Sequence, residues 1–302
     1  MSEAPIPYMQ RIRDYYSALG YGEPYRWAHH AEVPFHALQK PLSQSRLTIV
    51  TTAAPYHPDK GDQGPRAPYN AAAKFHGVYS LDSAEDHDLR ISHVAIDRDH
   101  TTAEDPGTWF PLPALRRAAK RGRIGSVAPR FHGAPTNRSH RVTLEVDCPE
   151  IVERCKTDRV DAAILVPNCP VCHQTVGLAA CMLEQNDIAT VVMGCAKDIV
   201  EYVGVPRFLF SDFPLGNSAG RPNDPASQES TLELALGLLE HAPGPRTTLQ
   251  SPLRWSGSPD WKLDYQNIAR LSQEEIQRRR REFDQQKRIA AASRGGTAGQ
   301  SG

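Results

Sequence analysis

The chain has 302 residues, enough for one large domain or two modest ones, and 39% of them are hydrophobic, which is adequate for a core. Lys+Arg and Asp+Glu each number 35, so the formal net charge is zero and no field attracts nucleic acid or anionic lipid. The longest apolar runs, such as residues 162–167, are far too short to span a bilayer. The opening MSEAPIPYMQ lacks a basic-then-apolar signal pattern, so a cytoplasmic protein is expected.

Residues 5–20 are predicted to form a short amphipathic helix, because Ile6, Met9, Ile12, Tyr16 and Leu19 recur at helical spacing. With the irregular aromatic stretch GYGEPYRWAHH they make an N-terminal arm over 1–46. LTIVTT (47–52) has the short, β-branched look of a buried strand, and the Pro- and Gly-rich segment after it that of a long functional loop. A second strand is expected over Leu89 to Ile96, then a helix from Pro113 to Arg121 that IGSVAPR breaks; these elements define a first α/β half over 47–145. From Cys148 the pattern is regular. PEIVERCKTD, VCHQTVGLAACMLEQN and KDIVEYVG are predicted helices, alternating with the strands VDAAILVP, IATVVMG and RFLFSDF. The loop PLGNSAGRPNDPAS and the helix ESTLELALGLLEH complete a second half over 146–245. The last segment, 246–302, holds a charged helix opened by a Ser272–Glu275 capping box, and SRGGTAGQSG, expected to be disordered. The class expected is therefore α/β: parallel sheets with flanking helices, Rossmann- or flavodoxin-like, in two α/β halves plus a C-terminal helical tail.

All six cysteines lie between Cys148 and Cys195. In VPNCPVCHQTVG, Pro170 suits the first helical position, which makes Cys169 the N-cap and Cys172 the third helical residue. The helix dipole then favours a thiolate at the more exposed Cys169, while Cys172 heads a stripe with Val176, Ala179 and Leu183 toward the sheet. An exposed nucleophile with a buried resolver is what dithiol chemistry requires. Cys195 and the loop DFPLGN follow the next two strands, so the loops CPVCH, CAKD and DFPLGN should converge at the carboxyl edge, where open α/β sheets hold ligands. The competing reading is a zinc or iron site of Cys169, Cys172, Cys195 and a histidine, although no second C-x-x-C exists to complete a structural zinc site. Cys148, Cys155 and Cys181 are expected to be packing residues.

The histidines number 12. His93, Asp97 and His100 lie in SHVAIDRDHTTAEDP, which reads as strand then loop; His57 follows the first strand, and His132 a turn. His173, His100 and His132 are the candidate proton-transfer groups beside Cys169 and Cys172. His57, His93, Asp97, Cys195, Asp212, Gly216 and Asn217 are candidate substrate contacts. No cofactor or resident metal is expected.

Two long motifs, VPNCPVCHQTVG and DFPLGNSAGRP, together with RIRDYYSALGY and DRDHTTAEDPGTWFPLPALRRAAKRGRIGSVAPRFHG, make residues 8–242 resemble the selenoprotein B subunit family. This is the substrate-reducing subunit of glycine, sarcosine and betaine reductases, with D-proline reductase as a relative. The resemblance implies that Cys169 stands at the selenocysteine position and Cys172 at the resolving one. It implies reductive cleavage of a carbon–heteroatom bond, notably C–N, with electrons delivered through thiols; C–S cleavage is equally allowed. Sulfur in place of selenium makes a weaker nucleophile. The family also uses a pyruvoyl-bearing partner, and no such cleavage site is present here, so a partner supplies it or the substrate differs. The expectation is a dithiol reductase acting on a small polar molecule, served by an external donor such as a thioredoxin-like protein and by a partner subunit, in a homo-oligomer. An accessory-subunit role is the further alternative.

Overall fold

The computed structural model describes residues 4–297. In chain order the elements are α1 (Tyr8–Ala18), β1 (Arg46–Thr51), β2 (Ala54–Pro55), β3 (Tyr79–Asp82), β4 (Leu89–Arg90), α2 (Leu112–Lys120), β5 (Ser126–Val127), β6 (Arg130–Gly133), α3 (His140–Val142), α4 (Cys148–Thr157), β7 (Ala162–Val166), α5 (Pro170–Glu184), β8 (Ala189–Gly194), α6 (Lys197–Val203), β9 (Arg207–Phe210), α7 (Pro225–His241), β10 (Thr247–Gln250) and α8 (Gln273–Thr297). One eight-stranded sheet runs β10-β9-β8-β7-β1-β6-β3, with β5 also on β1; β2 and β4 form a small separate pair. Every ladder of the large sheet is parallel except β3–β6.

The two α/β stretches thus share one sheet. β1 and β7 pair over five residues, from Leu47 opposite Ala162 to Thr51 opposite Val166. The first stretch adds strands on one side of this seam and the second adds them on the other. The β1–β7 seam is therefore the topological switch point, where the exits of neighbouring strands diverge and leave a crevice.

Alternation along the strands builds two apolar layers. Ile49, Ile164, Val191, Met193 and Leu209 face α2 and α7 through Leu115, Leu232 and Leu236. Val50, Ala163, Leu165, Val192 and Phe208 face α4 and α5 through Ile151, Val176, Ala179 and Leu183. A third cluster joins α1 to α6 and to residues 261–265, with the Tyr8 and Tyr265 rings 5.4 Å apart. It lies beside the loops that leave β8 and β9, to which Cys195, Phe213 and Leu215 belong.

Several expectations are corrected. The strand expected over 89–96 is only Leu89–Arg90, followed by turns. There Arg98 replaces a ladder, donating to the carbonyls of Ala67, Val94 and Ser92 at 3.0, 2.9 and 2.8 Å. β3 and β6 were not foreseen; β6 continues the β5 pairing along β1 after an interruption at Pro129, which has no N–H to give. α7 begins at Pro225, earlier than expected, because the Asp224 side chain caps the Ser227 N–H. α8 runs to Thr297, into the tail expected to be disordered; residues 298–302 lie outside the described part. No described helix is long and apolar enough to cross a membrane.

The N-terminal arm is tied down by a buried ion pair. Arg207 donates to Glu184 at 2.7 Å, and their side chains are 1% and 0% exposed. Glu184 also accepts from the Thr190 N–H and hydroxyl, at 2.6 and 2.8 Å, and from the His36 N–H. Arg207 donates to the His36 carbonyl at 2.8 Å and lies 4.0 Å over the Phe35 ring. Burial raises the Glu184 carboxyl above its ordinary value against the pull of Arg207. Arg207→Met leaves a buried carboxylate without its counter-ion and should cost about 3–5 kcal/mol in urea unfolding. A loss under about 1 kcal/mol, the size found for surface bridges, would show that the pair holds nothing.

Candidate active site

The N-terminus of α5 is built as the dipeptide grammar requires. Cys169 has extended backbone (φ −131°, ψ 169°) and caps the helix, its sulfur accepting from the Cys172 N–H at 3.2 Å; Pro170 takes the first helical position. Cys169 and Cys172 are paired as a disulfide, with Cα atoms 4.9 Å apart. Helix N–H groups and the dipole favour negative charge on the Cys169 sulfur once the pair is reduced. One expectation changes: Cys169 is only 5% exposed, so its access runs through a cavity and not over an open surface.

That cavity, about 240 Å³, opens over Cys169, Pro170 and Val171 outside the carboxyl end of β7. Its walls come from α1, the arm, the loops around Tyr69–Lys74 and Thr136–Arg138, and α8. Tyr25 is fixed by the Gln174 amide of α5 at 2.8 Å, and the same side chain accepts from the Ala28 N–H at 2.7 Å. Phe283 of α8 roofs the cavity, its ring 5.2 Å from Tyr16 and 5.1 Å from Tyr21. Thr136 touches the Cys172 sulfur at 3.3 Å.

His93 is the histidine that reaches this cavity. It is 2% exposed, and neither ring nitrogen has a well-formed hydrogen bond, although the Thr52 backbone lies near. Burial, with Lys74 nearby, pushes its imidazole down to about 3. His93 is therefore neutral at pH 7 and offers one N–H and one lone pair.

The other predicted site residues lie elsewhere. His173 is buried beneath the site: Nδ1–H donates to the Cys169 carbonyl at 2.7 Å, and Nε2 accepts from the Cys195 and Ala196 N–H groups at 3.0 and 3.2 Å. Both nitrogens are committed and burial lowers the group to about 4, so His173 is a strut between two loops. Cys195 lies behind it, 3.7 Å from the Ser218 hydroxyl, with its thiol pushed up to about 12 by burial. Ser218 in turn donates to the Pro167 carbonyl at 2.8 Å, so the three loops do meet, though as a packed floor. His100 bridges Asp97 and Asp264, at 3.1 Å to each, and burial raises the Asp97 carboxyl. Asn217 accepts from Thr101 at 3.2 Å, Gly216 (φ +106°) backs onto Ile96, and Asp212 pairs with Lys262. His132 is enclosed on β6, bonded to Ser80 at 2.8 Å and lowered to about 4 by burial. His57 sits at the start of a surface 3₁₀ turn, its backbone bonded to Gln63. Cys148, Cys155 and Cys181 are buried thiols, each pushed up to about 12.

The zinc or iron set of Cys169, Cys172, Cys195 and a histidine does not assemble. Among the described residues no three His, Cys, Asp or Glu side chains are grouped to hold a metal ion. Sequence reasoning missed Tyr16, Tyr25, Trp27, Tyr69, Lys74, Arg138 and Phe283 as wall residues. The one available signal was the aromatic density of GYGEPYRWAHH.

Among curated proteins, the chain is similar to the D-proline reductase subunit gamma of Acetoanaerobium sticklandii, with 27% identity over 207 residues. The match spans 68% of this chain and 82% of that protein. It is also similar to the betaine reductase complex component B subunit beta of Peptoclostridium acidaminophilum, with 25% identity over 184 residues, 59% of this chain and 41% of that one. No family model and no solved structure matches. Both relatives are subunits of reductases, and with them the chain is placed as a cysteine-containing relative of the selenoprotein B family of glycine, sarcosine and betaine reductases, to which D-proline reductase is related.

Proposed function

We propose that this chain is the thiol-active subunit of a reductase, with Cys169 as nucleophile and Cys172 as resolving thiol. The observation that carries the proposal is the Cys169–Cys172 pair at a helix N-terminus, on the floor of a cavity at the β1–β7 switch point. In the reduced protein the Cys169 thiolate attacks the substrate. For a C–N bond, sulfur bonds to carbon, the C–N pair of electrons leaves on nitrogen, and a proton neutralises the amine. Cys172 then attacks Cys169, the disulfide forms, and the carbon leaves with the displaced pair and takes a proton. For a C–S bond the thiolate attacks sulfur, carbon leaves with the bonding pair, and Cys172 releases the thiol product. In both cases two electrons pass from the dithiol to the substrate, and an external thiol donor of the thioredoxin type restores the pair.

His93 replaces His173, His100 and His132 as the proposed proton-handling group, because it lines the cavity with Cys169. Being neutral, it hydrogen-bonds the substrate and passes a proton along instead of storing one. A partner subunit is part of the proposal, since both relatives are named as subunits.

Cys169→Ser should keep the fold, since Ser is a good N-cap, and lose at least about tenfold in turnover with dithiothreitol as donor, roughly 1.4 kcal/mol in barrier. A variant retaining most of its rate would mean that the nucleophile is misassigned. Cys172→Ser should still allow the first attack and then stall. Intact-mass spectrometry of that variant mixed with a turned-over substrate should show an adduct on Cys169. If no adduct forms and turnover is unchanged, Cys172 does not resolve the intermediate.

A further inference from the structure

Resting on the dithiol reading of this cavity, we infer that the Thr136 hydroxyl is a catalytic group of the resolving step: it holds the Cys172 sulfur as a thiolate while that sulfur closes onto Cys169. Thr136 Oγ1 lies 3.3 Å from the Cys172 sulfur. That sulfur is in the disulfide and has no proton of its own, so the hydroxyl is the donor. Thr136 is half-buried and lines the cavity together with Cys169, whereas Cys172 is 0% exposed.

Strand order brings the hydroxyl there. β6 lies beside β1, on the side away from β7. Its exit is tied to that of β1 by the Ala134 N–H, which donates to the Thr51 carbonyl at 2.8 Å. The Asn137 amide then donates to Asp147, just before α4, at 2.7 Å. Thr136 sits between these two anchors, against the start of α5.

The chemistry needs such a donor, because a thiol attacks a disulfide-forming partner as its thiolate. Burial pushes the four unpaired thiols, Cys148, Cys155, Cys181 and Cys195, up to about 12. Cys172 is as enclosed as they are. Its own backbone N–H is spent on the Cys169 sulfur at 3.2 Å. Cys195 also has a hydroxyl neighbour, Ser218 at 3.7 Å, but that hydroxyl gives its proton to the Pro167 carbonyl. Among the described residues no competing acceptor takes the Thr136 proton. A hydrogen bond to an ionised acceptor is stronger than one to its neutral form, so this contact favours the thiolate. In the resolving step the Cys172 thiol yields its proton to solvent in the cavity. The thiolate attacks the Cys169 sulfur, the S–S bond forms, and the bond from Cys169 to the displaced group breaks. The electron pair leaves with that group, which takes up a proton.

Methyl methanethiosulfonate, a small thiol reagent, isolates this step. The reduced Cys169 sulfur takes the methylthio group and methanesulfinate leaves; Cys172 then displaces methanethiol. Intact-mass spectrometry of acid-quenched samples, with peptide mapping, follows the adduct and its closure from neutral to alkaline pH. Thr136→Val should form the adduct and close it at least about tenfold more slowly than wild type at pH 7. The gap should narrow as the pH rises, because the midpoint of the closure profile moves to higher pH. Thr136→Ser keeps the hydroxyl and should close at nearly the wild-type rate. Thr136→Ala should behave as Thr136→Val does, and carries the test if the valine variant misfolds. Closure as fast as wild type without the hydroxyl, equal slowing at every pH, or equal slowing in Thr136→Ser would each overturn the inference. Closure in wild type that is indifferent to Thr136 leaves the dithiol reading standing. An adduct that wild type never closes at any pH removes the resolving role of Cys172, and this inference with it.

Discussion

A parallel sheet releases all its strands at one edge, and in this chain that constraint creates the site. β1 and β7 lie side by side although more than a hundred residues separate them in sequence, so the turns after Thr51 and Val166 emerge together. The Asn168 N–H joins the Thr52 hydroxyl at 3.1 Å, which ties the two exits before the chain turns into α5. Cys169 is the next residue. Its place follows from strand pairing, and its helix-capping conformation from Pro170.

The floor and the roof of the cavity are built on different principles. The floor is the carboxyl edge itself, cross-braced by His173 between the Cys169 carbonyl and two N–H groups of the Cys195 loop. His173, Cys195 and Ser218 are all buried there. The roof comes from segments remote in sequence that meet through aromatic contacts. The base beneath Cys169 is thus held by directional hydrogen bonds, and the cover above it chiefly by ring contacts.

The regular half of this architecture was legible from the residues. β-branched runs at Ala162–Val166 and Ala189–Gly194, each followed by a helix of the right length, leave little besides a parallel sheet, and Asn-Cys-Pro marks the helix start. The convergence of three loops followed from topology alone. What they do there did not: His173 next to Cys172 looks like an acid–base group, and only the positions of the Cys195 and Ala196 amides reveal a strut. His93 looked like one of several equal histidines because its location depends on Arg98 holding an irregular turn. The aromatic wall was invisible because its residues lie on an arm, two loops and a distant helix, with no periodicity in common. In α8 charges outnumber apolar residues, so its sequence pattern does not show that Phe283 seats it against Tyr16 and Tyr21.

Several charges of α8 pair with one another along the helix. Glu275 pairs with Arg278 and Arg279, Arg278 with Glu282, and Arg280 with Asp284. Its attachment to the body combines aromatic and polar contacts: Phe283 among Tyr16 and Tyr21, the Arg280 face 3.9 Å over Tyr21, the Tyr21 hydroxyl donating to Asp284, Arg280 donating to the Leu19 carbonyl, and Gln286 accepting from the Ala71 N–H at 3.0 Å. Salt therefore screens the exposed ladder that stiffens the helix more than it weakens the Phe283 contacts of the seat. Agents that solvate aromatic surface do the opposite.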